Sequence, residues 1–228
     1  FDVYQNGNQS EKYPQIWVEG SSLTIKNSRV HDSVNGNGIT SKGSEIKGES
    51  CEVFKNYYYG LRFIKNSTVV LSNFDVYQNG NQSGNYPQIW VEGSSLTIKN
   101  SKVHDSVNAG GIYSKGSKIE GEGCEVFKNY YHGLFLGNST VVLSNFDVYQ
   151  NGNQSEDYSQ IWLEDSFVYI SDSQIYNARK GSGIYCKGSL TELVIKRVRT
   201  YGNSVGLRCM GYKKLEIDNS SYFYDGIK

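Results

Sequence analysis

The chain has 228 residues with 23 basic and 23 acidic side chains, a formal net charge of zero, which argues against a protein that holds nucleic acid or anionic membrane through bulk charge. Hydrophobic residues make up 37% and aromatic residues 14%, too many for a disordered chain. No apolar run approaches the roughly 20 residues of a membrane span, so neither a nucleic-acid partner nor membrane insertion is expected.

From the first residue onward the chain repeats itself. FDVYQNGNQS opens at Phe1, Phe74 and Phe146, and self-similarity of this kind marks a repeat architecture. The long repeats are 1–73, 74–145 and 146–228. In the first, Ile16-Trp17-Val18-Glu19 alternates apolar and polar faces, and a Gly-Ser turn leads into Leu23-Thr24-Ile25. Asn27-Ser28 then bends the chain into a short strand centred on Val30. The period is two throughout, so the pieces are strands, and Gly and Asn punctuation leaves no place for an amphipathic helix. Such units start at Ile16, Ile39 and Leu61, at Ile89, Ile112 and Leu134, and at Ile161, Ile184 and Leu207, with a last start at Ile227.

The units LTIKNSRVHDSVNGNGI and EIKGESCEVFKNYYYGL resemble the short repeats of right-handed parallel β-helix proteins, the pectin-lyase-like superfamily, over essentially the whole chain. The resemblance implies an all-β fold: a single right-handed parallel β-helix, a solenoid of about nine rungs with three short strands per rung, forming one domain. That superfamily includes pectate lyases, polygalacturonases, uronan epimerases, tailspike-like adhesins and non-catalytic F-box modules, so function has to be argued from the site. The chain begins within a rung and stops just after a unit start. Exposed end rungs invite strand pairing, so a segment of a longer chain, or end-to-end or homo-oligomeric contacts, is expected.

In such a coil, equivalent positions form columns about 4.8 Å apart along the axis. The third residue of each unit points inward (Val18, Ser41, Phe63, Val91, Ser114, Leu136, Leu163, Cys186, Cys209), as does a column from Val30 to Tyr222 in the third strand. Cys51 and Cys124 lie three rungs apart, roughly 14 Å at the strand spacing and beyond disulfide reach. Cys186 and Cys209 are near enough to bond, but parallel side-chain vectors favour buried free thiols. Free thiols are compatible with an intracellular location while fold analogy points to an extracellular or cell-surface one, so the compartment stays open.

The outward columns carry any function. One holds Trp17, Thr40, Arg62, Trp90, Tyr113, Phe135, Trp162, Tyr185 and Arg208. Two residues further stand Glu19, Lys42, Glu92, Lys115, Glu164 and Lys187, pairing Glu with Lys on adjacent rungs three times. The structural alternative is a stabilising ladder; the functional one is a track on which exposed rings stack on sugars and Arg or Lys meets carboxylates. A second outward column, from His31 and Phe54 through His104 to Tyr201 and Phe223, reads as packing, and His132 matches Tyr59 in the preceding repeat. The long turns from Gln5, Gln78 and Gln150 are expected to project as a lip that returns at Tyr13, Tyr86 and Tyr158.

An enzyme of this fold needs carboxylates close together, whereas Glu19, Glu92 and Glu164 stand three rungs apart. Asn-Thr-Asp, Gly-His-Gly and Asp-Pro-His strings are absent, and Arg62 with Lys42, or Arg208 with Lys187 and Glu164, lacks an acidic cluster. No cofactor or metal is implied. The sequence thus points to a non-catalytic binding or adhesion module for an extended polysaccharide, with a peptide-recognition scaffold or a uronan lyase or hydrolase as alternatives.

Overall fold

A computed structural model describes residues 1–6, 13–81, 84–152, 157–178, 180–219 and 221–227. Among these residues there is no helix. The chain winds through three parallel sheets of nine, nine and ten strands, a right-handed parallel β-helix of about nine rungs. Strands of the first sheet begin at Ile16, Ile39, Leu61, Ile89, Ile112, Leu134 and Ile161, as the alternation predicts, and Ile227 bridges Leu207. The tips of the long turns (7–12, 82–83 and 153–156) lie outside the described residues, so the expected lip is seen only at its returns.

The rungs turn because one bend residue per corner takes a left-handed conformation. Asn27, Ser50, Asn73, Asn100 and Asn145, all with φ between 47° and 54°, end the second-sheet strands. Asn tolerates this region better than most residues, which accounts for its abundance. The side chains of Val30, Val53, Val76, Val103, Val126 and Val148 are fully buried, as are Phe63, Val91, Leu136 and Leu163. Burial of these columns supplies the main stabilising term, at about 25 cal/mol per Å² of apolar surface.

Polar ladders thread this core, and the sequence reading has no place for them among its inward columns. Asn56 bonds Asn79 and Asn79 bonds Gln88, and Asn129, Asn151 and Gln160 repeat the arrangement. Each amide also donates to a backbone carbonyl at the corner, Asn79 to Val53 and Asn151 to Val126, both at 2.9 Å. Buried donors and acceptors are thereby satisfied.

Two expectations fail toward the C-terminus. The last third-sheet strand pairs Arg199 with Tyr222 and Thr200 with Phe223. Phe223 therefore takes the inward column assigned to Tyr222, which is 51% exposed. Cys186 and Cys209 form a disulfide, with Cα atoms 4.5 Å apart. Parallel ladder partners already stand within the separation a disulfide spans, and the shared direction of their side chains does not prevent the bond. Cys51 and Cys124 are free and buried.

The second outward column is a continuous stack from Tyr4 through His31, Phe54, Tyr77, His104, Phe127, Tyr149 and Tyr176 to Tyr201. Both histidines sit between two carboxylates: His31 reaches Asp2 at 2.8 Å and Asp32 at 2.6 Å, and His104 reaches Asp75 at 2.8 Å and Asp105 at 2.7 Å. Burial disfavours the charged ring, but these carboxylate bonds outweigh it and raise both pKa values above the ordinary 6.5. A raised folded-state value adds stability that is complete below the unfolded value and is lost as pH rises through the folded one. We expect urea midpoints to fall across that window. In a His31→Gln/His104→Gln variant this fall should vanish; an unchanged profile would show that the carboxylates do not hold imidazolium.

Candidate functional site

The three outer faces differ in chemistry. On the second sheet, charges neutralise one another: Lys26 pairs with Glu49 at 2.7 Å, Lys99 with Glu122 at 2.8 Å and Lys213 with Glu192 at 2.6 Å. The third sheet carries the closed histidine–aromatic stack. On the first sheet, a row of aromatic rings lies beside cations without a counter-charge, whereas Lys196 on the second sheet and Arg199 on the third are isolated unpaired cations among the described residues. Among the described residues, Arg62, Lys115, Lys187 and Arg208 form no ion pair. Of the expected Glu–Lys pairs only Glu19–Lys42 closes. Glu92 with Lys115 and Glu164 with Lys187 are strand partners whose side chains do not bond.

Parallel in-register pairing places the rings of successive rungs face to face. Trp90 stacks on Tyr113 with centroids 4.3 Å apart, Tyr113 on Phe135 at 4.6 Å, Phe135 on Trp162 at 6.3 Å and Trp162 on Tyr185 at 4.1 Å. Arg208 lies 5.8 Å from the Tyr185 centroid, and Arg62 is the strand partner of Trp90 at the opposite end. Five rings flanked by two arginines thus replace the nine-rung stripe of the sequence reading. Thr40 breaks it: this residue is fully buried and accepts from Asn37 Nδ2 at 2.9 Å. Trp17 stands apart beyond Thr40, 51% exposed.

The stack changes what these rings can do. Their faces are occupied by neighbouring rings, so Trp90, Tyr113, Phe135 and Trp162 do not offer the open planes that the sequence reading gave them. Trp17 is the exception, because among the described residues no ring stacks on it. Its Nε1 donates to Glu19 at 3.3 Å, and Trp90 Nε1 donates to Glu92 at the same distance. Trp162 Nε1 differs: it is buried and has no acceptor among the described residues.

Beside this stack the returns of the long turns build a wall. Tyr86 packs on Tyr58 with centroids 4.6 Å apart, and Tyr158 packs on Tyr131 at 4.5 Å. Between wall and stack lies a cleft of about 500 Å³ bordered by Trp90, Tyr113, Tyr131, His132, Phe135 and Tyr158. His132, whose match to a tyrosine singles it out for nothing in the sequence, is part of this cleft. It wedges against Trp162 at 5.1 Å and Tyr158 at 5.3 Å, and its Nδ1 accepts from Ser159 N–H at 3.0 Å. Burial lowers its pKa to about 4, so at neutral pH the ring is uncharged with its proton on Nε2. The available signal is internal: it is one of the few positions at which the first two repeats differ.

The same place in the first repeat holds a smaller cleft of about 220 Å³ bordered by Asn37, Tyr58, Tyr59, Arg62 and Tyr86. The third repeat has one of about 430 Å³ bordered by Ser182, Ser204, Val205 and Arg208, among others. Arg62 lies 5.7 Å from the Tyr59 centroid, and its Nε is buried without an acceptor among the described residues. Tyr59 is raised by burial and lowered by the nearby Arg62 charge. Tyr113 in the middle cleft is raised by burial and, in addition, by Glu92 and Glu164.

Solved structures with the same fold include the enzymatically active domain of tailspike protein 2 from bacteriophage CBA120 (TM-score 0.71, 13% identity, 87% of this chain and 34% of that one). The mannuronan C-5 epimerase AlgE4 A-module of Azotobacter vinelandii gives 0.66 at 14% identity, covering 91% of this chain and 62% of that one. Pectate lyase Pel9A gives 0.60 at 14% identity, covering 97% and 69%. The chain therefore spans about a third of the tailspike domain's length. No curated protein sequence matches it. A family model described as "Right handed beta helix region" matches residues 82–222, more than half of the chain. The chain belongs to this right-handed β-helix family.

Proposed function

We propose that the chain is a non-catalytic binding module that holds an extended polysaccharide along its first sheet. The observation that carries this reading is the five-ring stack of the first sheet, flanked by Arg62 and Arg208 without ion-pair partners and bordered by clefts. A flexible polymer with carboxylate or hydroxyl groups could lie across successive rungs there, meeting ring edges, tyrosine hydroxyls and guanidinium donors. Tailspike protein 2, the epimerase and the pectate lyase share the fold, which is compatible with such a ligand and does not select it. The repetition of similar clefts suits multivalent attachment along a polymer better than a single catalytic arrangement.

Trp17 is the cleanest probe, since it is exposed and takes no part in the ring stack. We expect Trp17→Ala to leave the urea midpoint nearly unchanged and to weaken glycan binding about tenfold, the loss expected of one exposed ring contact. Trp90→Ala should weaken binding and lower stability together. A glycan array with no hit for the unmodified chain would count against the reading. Release of unsaturated or reducing ends from uronans would overturn its non-catalytic part.

A further inference from the structure

The first two repeats are nearly identical, so the places where they differ carry information. Some changes away from the clefts preserve local chemistry, although Ser50 becomes Gly123 and Ile64-Lys65 is reduced to Gly137. Lys102 replaces Arg29, and each pairs with a glutamate of the next rung, Glu125 or Glu52. Glu45 and Lys47 become Lys118 and Glu120, a swap that keeps a 2.7 Å ion pair in both repeats. At the clefts the changes alter chemistry instead. Asn37 becomes Gly110, Thr40 becomes Tyr113, Tyr59 becomes His132 and Arg62 becomes Phe135. In the third repeat the floor position returns to Arg208 and the wall position becomes Val205.

Because the clefts recur every third rung, they stand roughly 14 Å apart at the rung spacing. We infer that they are three non-equivalent subsites in the order cationic, neutral aromatic, cationic, matched to an acidic polysaccharide whose charge is interrupted by neutral residues. This inference rests on the proposed polysaccharide-binding role of the first sheet. The outer subsites each centre on an arginine without a carboxylate partner, and a guanidinium in that state pairs with an incoming carboxylate or sulfate. The middle subsite has Phe135 in place of arginine, an uncharged His132, and two carboxylates, Glu92 and Glu164, close enough to act on Tyr113, against one lysine, Lys115, on that strand. A carboxylate placed there would lose its hydration and meet like charge, whereas a neutral or esterified sugar would not.

Galacturonan of graded methyl esterification tests this order. Binding should be strongest at intermediate esterification and weaker, by about tenfold, for both the fully acidic and the fully esterified polymer. Arg62→Gln and Arg208→Gln should each cost about tenfold on the intermediate polymer and reduce the salt dependence of binding. Phe135→Arg should move the optimum to the fully acidic polymer, and circular dichroism would confirm that each variant keeps its sheets. Should Phe135→Arg not keep them, Glu92→Gln, which removes an opposing charge while keeping an oxygen that can accept from Trp90 Nε1, should move the optimum in the same direction. Binding that rises or falls steadily with charge density would overturn the subsite order while leaving the polysaccharide reading intact. Binding to no member of the series, together with no hit on a glycan array, would remove both.

Discussion

Phe146→Ala is expected to lower stability by about 3–5 kcal/mol, the usual cost of emptying a buried aromatic site. Phe146 is 1% exposed and fills a corner where Phe74 stands in the preceding repeat and most other rungs place Ser or Cys. Room for it comes from the neighbouring strand: a Cβ built on Gly121 would lie 2.5 Å from Phe146 Cζ and 2.6 Å from Cε2. Gly121→Val alone should therefore destabilise through overpacking, by about 1–3 kcal/mol or more. Combined with Phe146→Ala, the valine enters vacated space at a strand position that favours β-branched residues. The double variant should be more stable than the sum of the single losses, with a coupling of about 1–3 kcal/mol. Strict additivity in urea unfolding would show that glycine and phenylalanine are not a matched pair. Gly48 and Phe74, with the same 2.5 Å approach, offer an independent replicate within the chain.

The second large effect is expected at the buried amide ladder. Asn151 is fully buried; its Oδ1 accepts from Asn129 N and Nδ2, and its Nδ2 donates to Val126 O and Gln160 Oε1. Asn151→Ala strands several of these partners without water. Each orphaned group costs about 1–3 kcal/mol, so a loss of about 3 kcal/mol or more is expected. Asn151→Asp separates hydrogen bonding from volume. It should be at least as damaging at neutral pH, because a carboxylate is buried against acceptors, and should recover as the carboxyl protonates on acidification. A loss under about 1 kcal/mol for Asn151→Ala would mean that the ladder fills space and little else. Asn79 makes the same set of bonds in the preceding repeat, so Asn79→Ala should behave alike.

The alternation Ile16-Trp17-Val18-Glu19 and its recurrences are enough to assign three strands per rung, the unit starts and the inward columns. A one-residue error in a strand would put Trp or Glu into the core, so hydrophobic pattern alone holds the register. That constraint weakens where polar and apolar residues no longer alternate cleanly. Between Val198 and Phe223 the pattern loosens, and the adjacent aromatics Tyr222 and Phe223 could each serve either face, so the sequence reading misses the register there by one position. Asn79, Asn151 and their partners are unreadable for a related reason: a buried asparagine and a turn asparagine look the same until a neighbouring rung supplies its partner.

The sequence by itself determined the coil, because each rung needs only local alternation and a bend residue that tolerates positive φ. It also selected the face to inspect, since Trp17, Arg62, Trp90, Tyr113, Phe135, Trp162, Tyr185 and Arg208 share one column. Only the tertiary structure decided what those residues do. Stacking consumed the ring faces of the five-membered run, left Trp17 open, buried Thr40, joined Cys186 to Cys209 and set His132 between Tyr158 and Trp162. Each of these depends on contacts between neighbouring rungs or on turns that fold back over the sheet. A column records which side chains share a face; the distances between neighbouring rungs determine whether they meet each other or a ligand.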